Sequence, residues 1–222
     1  MGRLFTKAGS QYAELAATVP VEPVTLSCWY YATDFATSPN CLAISSGITS
    51  GIKLGFTTSG AAQIVCTNAA GTNGIKNTTT TTSAGVWAHA LAVCATASSR
   101  DIYLNKLGLA SDTTNIVQAG LDRYLINTRY STSTRGLFGN GIYGEQAIWN
   151  AALSSQEINA LADGVSALNI RPQNLVFCVP MFGVNDPEIN LVGDPLPLFA
   201  APTTSSEHPK VYREGRSVAN VI

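Results

Sequence analysis

The sequence predicts an all-β fold, two antiparallel sheets packed as a sandwich, and three observations predict it. Charged residues make up 12% of the chain, about half the usual share. Polarity comes instead from Thr, Ser, Asn and Gly, which suit short strands and tight turns, while the Glu, Lys and Arg that fill exposed helix faces are scarce. Short apolar runs with period-two alternation recur between Ser/Gly clusters. At 222 residues, a sandwich of this kind folds as one unit around one core.

In chain order, Leu4-Phe5 and Ala13 to Leu15 read as strands joined by a turn at Gly9-Ser10-Gln11, and as partners of the strand that follows. Val24 to Tyr31 alternates while both of its faces carry apolar or aromatic residues, so it lies centrally or is covered on both sides. Cys41 to Ser45, Gly51 to Phe56 and Ala62 to Thr67 form a meander. Residues 68–84, with consecutive threonines from Thr78 to Thr82, read as a loop and then an edge strand, because Thr favours an exposed strand face. Between Val86 and Thr96, large residues (Trp87, His89, Leu91, Val93) alternate with small ones (Ala88, Ala90, Ala92, Cys94), the pattern of a core strand packed closely under a neighbour.

Ile102 to Asn105, Thr113 to Gln118, Tyr124 to Asn127 and Leu137 to Trp149 extend the strand set, the last bent by Gly136, Gly139, Gly141 and Gly144. Ser154-Ser155-Gln156-Glu157 is a capping box, Leu153 and Ile158 form a hydrophobic staple, and Gly164 closes the end, which predicts one short helix over residues 155–163. Leu175 to Met181 is a late strand. After Gly183 the prolines at 187, 195, 197, 202 and 209 are too close together for a helix or a central strand. Residues 1–182 are therefore read as the sandwich and 183–222 as an extended arm. A polar, proline-rich tail stays disordered unless something holds it. The arm is accordingly expected to grip a partner, through Pro195, Pro197, Pro202, Pro209, Tyr212 and Arg213.

The net charge of −1, with no basic run, argues against nucleic acid or an anionic membrane as partner. The N-terminus has no signal-peptide core, and no segment approaches the roughly 18 apolar residues that span a bilayer. The product is expected to be made in the cytosol and to stay there or leave by lysis. Met1-Gly2 with Thr6 matches a myristoylation pattern formally, but Leu4-Phe5 reads as buried strand and no basic cluster follows. Cys28, Cys41, Cys66, Cys94 and Cys178 are odd in number, lack CxxC spacing and read as buried thiols.

Four segments resemble, in order, the laminin-G-like family of concanavalin A-like jelly rolls. They are Val24 to Trp29; Gly85 to Val93, similar to the family's W-x-H-x-A-x-V strand; Asp101 to Lys106, with Lys106 where the family has Gly; and Gly141 to Ile158, similar to the family's closing G-x-I-x-E-x-x-I-W-N run. Residues 168–176 and 207–211 look like the version found among tailed-phage structural proteins. That resemblance implies a virion protein that decorates or stabilises a capsid or tail through its arm, displays a lectin-like domain outward, and assembles as a homo-oligomer. The alternative it allows is a lectin module that attaches to host or mucosal glycans, since the fold serves both shells and lectins.

Glucanases on this fold need two carboxylates on one strand flanking the scissile bond. No E-x-D-x-x-E pattern is present, and Glu145 stands alone between Gly144 and Gln146 as a hydrogen-bonded structural carboxylate. His89 reads as a satisfied core histidine, and Ser154 is explained by helix capping. No enzyme activity and no cofactor are expected. A structural calcium, which the resemblance allows, would draw on Asp34, Asp112 or Asp122, none in an acidic cluster. Trp29, Trp87 and Trp149 lie in strand-like runs and read as core. Aromatics for sugar contact are expected on loops, at Tyr124, Tyr130 and Phe138.

Overall fold

The structure, a computed structural model, describes residues 2–131 and 134–211; Tyr212 and Arg213 of the expected arm contacts lie outside the described residues. Strands run in chain order as β1 (Gly2–Phe5), β2 (Tyr12–Ala16), β3 (Val24–Ala32), β4 (Asn40–Ser45), β5 (Gly51–Phe56), β6 (Ala61–Thr67), β7 (Asn73–Thr81), β8 (Trp87–Thr96), β9 (Ser99–Leu104) and β10 (Leu107–Asp112). They continue as β11 (Arg123–Ile126), β12 (Arg129–Ser131), β13 (Thr134–Gly136), β14 (Gly141–Trp149), helix α1 (Ser155–Ala162), β15 (Leu175–Val179), β16 (Leu198–Phe199) and β17 (Thr203–Ser205). The first sheet has the order β10-β9-β8-β3-β14-β1-β17, with β15 also on β14. The second sheet has the order β16-β2-β11-β4-β5-β6-β7, and β12 and β13 form a separate hairpin.

Alternation divides the apolar residues into three layers. Between the sheets lies the main core, which takes Leu26, Cys28 and Tyr30 from β3, Ile52 and Leu54 from β5, and the small face of β8. Leu91, Val93 and Trp149 point to the other side of the first sheet, where Ile158 and Leu161 of α1 cover them. On the far side of the second sheet, Ala43, Leu125 and Tyr130 form a small cluster. The helix has the anticipated capping box, with Ser154 and Glu157 bonding reciprocally. All five cysteines are buried, and none forms a disulfide among the described residues.

Several expectations need correction. β1 and β2 are not a hairpin beside β3: β1 pairs with β14 in one sheet and β2 with β11 in the other, while β3 is flanked by β8 and β14. The turn between them carries the chain across the sandwich edge. Residues 113–118 form no strand, although Ile116 is buried in the main core. The β14 glycines mainly permit close approach. A Cβ at Gly141 would lie 2.3 Å from the Tyr30 ring, and one at Gly144 2.6 Å from Pro209.

The arm is extended as expected, but as far as it is described it lies on its own sandwich. β16 pairs with β2 and β17 with β1, so the arm adds an edge strand to each sheet. Arg3 and Glu188 form a buried ion pair at 2.8 Å, and Leu196 joins the main core. Pro202 and Pro209 are buried against the body while Pro195 and Pro197 are exposed. The pairing partners of β16 and β17 lie far along the chain, where local composition does not show them.

Candidate functional site

Side chains of a strand alternate between faces, so strict register across the second sheet lines up its outward residues in rows. One row runs Glu14, Leu125, Ala43, Lys53, Val65, Ile75 from β2 to β7. The next holds Arg123, Ser45, Gly51, Thr67 and Asn73. The β12–β13 hairpin brings Tyr130 onto this face beside Leu125 and Ala43.

Glu14 is the hub of its near end. Arg123 Nη1 donates to Glu14 Oε1 at 2.8 Å, and Arg135 Nε and Nη2 donate to Oε2 at 3.0 and 2.8 Å. The Tyr130 hydroxyl donates to the same carboxylate at 3.3 Å. Arg123 also grips both oxygens of Asp122, at 2.7 and 2.9 Å, which holds the Asp122 carboxyl below its usual range and raises the guanidinium further. Burial, and then the Glu14 charge, push the Tyr130 phenol up. The Arg135 guanidinium lies 4.8 Å from the ring centres of both Tyr12 and Tyr130.

Beside this network the aromatic rings form a ledge. Tyr12 and Phe199 stack at 4.7 Å with planes 5° apart, and Phe138 stands 6.3 Å from Tyr12. Phe199 is 38% exposed, and Tyr12 and Phe138 are half-buried. A flat, partly wet aromatic surface flanked by fixed hydrogen-bonding groups combines apolar contact with orientation, the two elements a small-molecule site needs.

Lys53, further along the row, is 3% exposed. Its ammonium reaches Thr67 Oγ1 at 3.3 Å, and that hydroxyl donates onward to Asn73 Oδ1 at 2.7 Å. Burial, reinforced by the Arg129 guanidinium, pushes the amine down to about 8. Among the described residues neither Lys53 nor Arg129 forms an ion pair.

Of the aromatics expected on loops, Phe138 and Tyr130 come together on this face. Tyr124 does not: it is 3% exposed in β11, its ring 4.7 Å from Phe177 in the main core, because alternation sends Arg123 and Leu125 outward and Tyr124 inward. Trp149 is core as expected. Trp29 and Trp87 are half-buried on the outer side of the first sheet, beyond the reach of α1. His89 is buried with Nε2 2.8 Å from Ser27 Oγ, and burial pushes it down to about 3.

The aspartates do not suit calcium. Asp34 accepts from Asn140 and Ala36, Asp112 from Arg100 and Thr114, and Asp122 from Arg123. Among the described residues no three His, Cys, Asp or Glu side chains gather as a ligand set. Sequence reading missed Tyr12, Glu14, Arg123, Arg135 and Phe199, which meet from four separate strands, β2, β11, β13 and β16. The one local signal was polar residues at outward positions of otherwise apolar strands.

The sequence model for the laminin-G-type branch of the concanavalin A-like lectin/glucanases superfamily matches residues 7–159. No curated protein matches the chain. Among solved structures, a sialidase CBM40 of Ruminococcus gnavus bound to α2,3-sialyllactose is similar at 15% identity and TM-score 0.55, over 64% of this chain and 84% of that one. A native heptameric SAP-like pentraxin of Limulus polyphemus is similar at 11% identity and TM-score 0.59, over 87% and 89%. The NanB sialidase of Streptococcus pneumoniae is similar at 14% identity and TM-score 0.56, over 72% of this chain and 27% of that one. At these identities the likeness is one of fold.

Proposed function

Since the chain belongs to the concanavalin A-like lectin/glucanases superfamily, we propose that it is a carbohydrate-binding module that holds a glycan on the outer face of its second sheet. The observation that carries this reading is the ledge of Tyr12, Phe199 and Phe138 beside the hydrogen-bonded network of Glu14, Arg123 and Arg135. A pyranose ring has an apolar face that packs on such rings and hydroxyls at its rim that exchange hydrogen bonds with charged groups. Glu14 holds the more exposed guanidinium of Arg135 in place, so a sugar hydroxyl meets that donor without reorganisation. Similarity to a CBM40 module in complex with sialyllactose supports the reading at the level of fold. Binding, without chemistry, is the whole of the activity proposed.

A virion assembly role, the first expectation from the sequence, rested on the resemblance of residues 168–176 and 207–211 to phage structural proteins and on a free arm. With β16 and β17 paired to the body, the arm no longer favours that role over glycan binding.

A glycan array probed with the full chain tests the proposal. Binding to at least one class of oligosaccharide is expected, and Tyr12→Ala and Phe138→Ala should each weaken it about tenfold with the thermal midpoint nearly unchanged. A wild-type chain that binds nothing on a broad array overturns the reading.

A further inference from the structure

Lys53 presents a physical problem that packing alone does not explain. It projects from β5 onto the outer face between Ala43 and Val65, and its position is nearly sealed from water. A buried ammonium is costly unless paired with an anion or fully hydrogen-bonded. Lys53 has three donors and, among the described residues, one hydrogen bond, to the neutral Thr67 hydroxyl. Its charged neighbour is Arg129, a like charge.

The acidic groups of the same face are engaged elsewhere. Glu14 stands three strands away in the same row, about 14 Å at the usual strand spacing. Its oxygens already serve Arg123, Arg135 and Tyr130. Asp122 is gripped by Arg123. The Arg123 and Arg135 end of the face is thus internally neutralised, whereas Lys53 and Arg129 leave two positive charges without a counter-ion among the described residues. A methionine or leucine would fill the same space without this cost.

We infer that Lys53 and Arg129 form a subsite for an anionic substituent of the glycan, a carboxylate or a sulfate ester, received on the half-buried Arg129 with the Lys53 ammonium and the Thr67–Asn73 hydroxyl–amide pair beneath it. This deepens the proposed function and rests on it for the identity of the carrier. The aromatic ledge takes the sugar body, and the cation pair selects acidic over neutral chains.

Calorimetry with lactose, sialyllactose and lactose 3′-sulfate tests the selection, because the three share one neutral body. Sialyllactose or the sulfate ester, whichever anion the subsite prefers, should bind the wild-type chain at least tenfold tighter than lactose. Lys53→Met and Arg129→Gln should each close that gap to within about threefold while leaving the affinity for lactose unchanged. Equal binding of all three by the wild-type chain overturns the anion subsite and leaves the glycan reading intact. A second measurement needs no sugar: inorganic sulfate should raise the thermal midpoint of the wild-type chain more than sodium chloride of the same ionic strength, and this excess should vanish in Arg129→Gln even if Lys53→Met folds poorly. An excess unchanged in the variants overturns the subsite. A sulfate effect abolished by them, with no sugar bound, supports the subsite and removes the glycan reading instead.

Discussion

Glu14 and Lys53 stand in one cross-sheet row with Leu125 and Ala43 between them, and so do not neutralise each other. Two arginines surround the carboxylate, while the lysine has one neutral partner. The amine, pushed down to about 8 by burial and by Arg129, with a small opposing pull from Cys66, should titrate near neutrality. Its folded value lies below the unfolded 10.5, so between these the unfolded chain retains a proton that the folded one has released. Stability should rise with pH across that window, by at most about 3 kcal/mol, and the rise should be absent in Lys53→Met when urea midpoints are followed from pH 7.5 to 10.5. Affinity for an acidic sugar should move oppositely, falling as pH passes 8.

The Arg3–Glu188 pair fastens the arm to β1, with Arg3 also donating to the Pro202 carbonyl at 3.0 Å. Glu188→Leu would leave a buried guanidinium without its charge partner and should cost about 3 kcal/mol or more. Deleting residues 184–222 removes β16 and β17 as well, and should leave a chain with no cooperative thermal transition. A truncated body as stable as the full chain in guanidinium titration would mean that the arm is an appendage after all.

His89 should make the protein acid-sensitive. Its folded value is pushed down to about 3 while the unfolded imidazole titrates near 6.5, so the unfolded chain gains a proton first as pH falls. Stability should drop by about 1.4 kcal/mol per pH unit between 6.5 and 3 from this group alone. His89→Gln should flatten that slope in urea titrations at pH 4 to 7; an unchanged slope would place the acid sensitivity elsewhere.

Ser154 caps α1, and its hydroxyl also meets Glu157, which Arg171 holds at 2.9 and 2.6 Å. Ser154→Ala should cost about 1 kcal/mol, read as a lower denaturation midpoint with an unchanged far-ultraviolet spectrum.

The five thiols should all be silent to a thiol reagent in the native state and all react after unfolding, because each is buried. Any fast-reacting thiol in the native chain would show that the core opens locally on the timescale of the assay.

The sequence by itself determined the class of the fold, the central place of Val24 to Tyr31, the meander from β4 to β6 and the capped helix. Each rests on a local rule: alternation, turn residues or a four-residue capping pattern, all readable within a few positions. Only the tertiary structure decided that β1 and β2 part into different sheets, that the arm closes both edges, and that Tyr124 faces inward while Tyr12 faces out. The candidate site belongs to this second kind. Its hub joins Glu14 to Arg135, 121 positions away, and the isolation of Lys53 depends on strand order in the second sheet. Pairing between distant strands places these charges, and no local pattern encodes which strands will lie side by side.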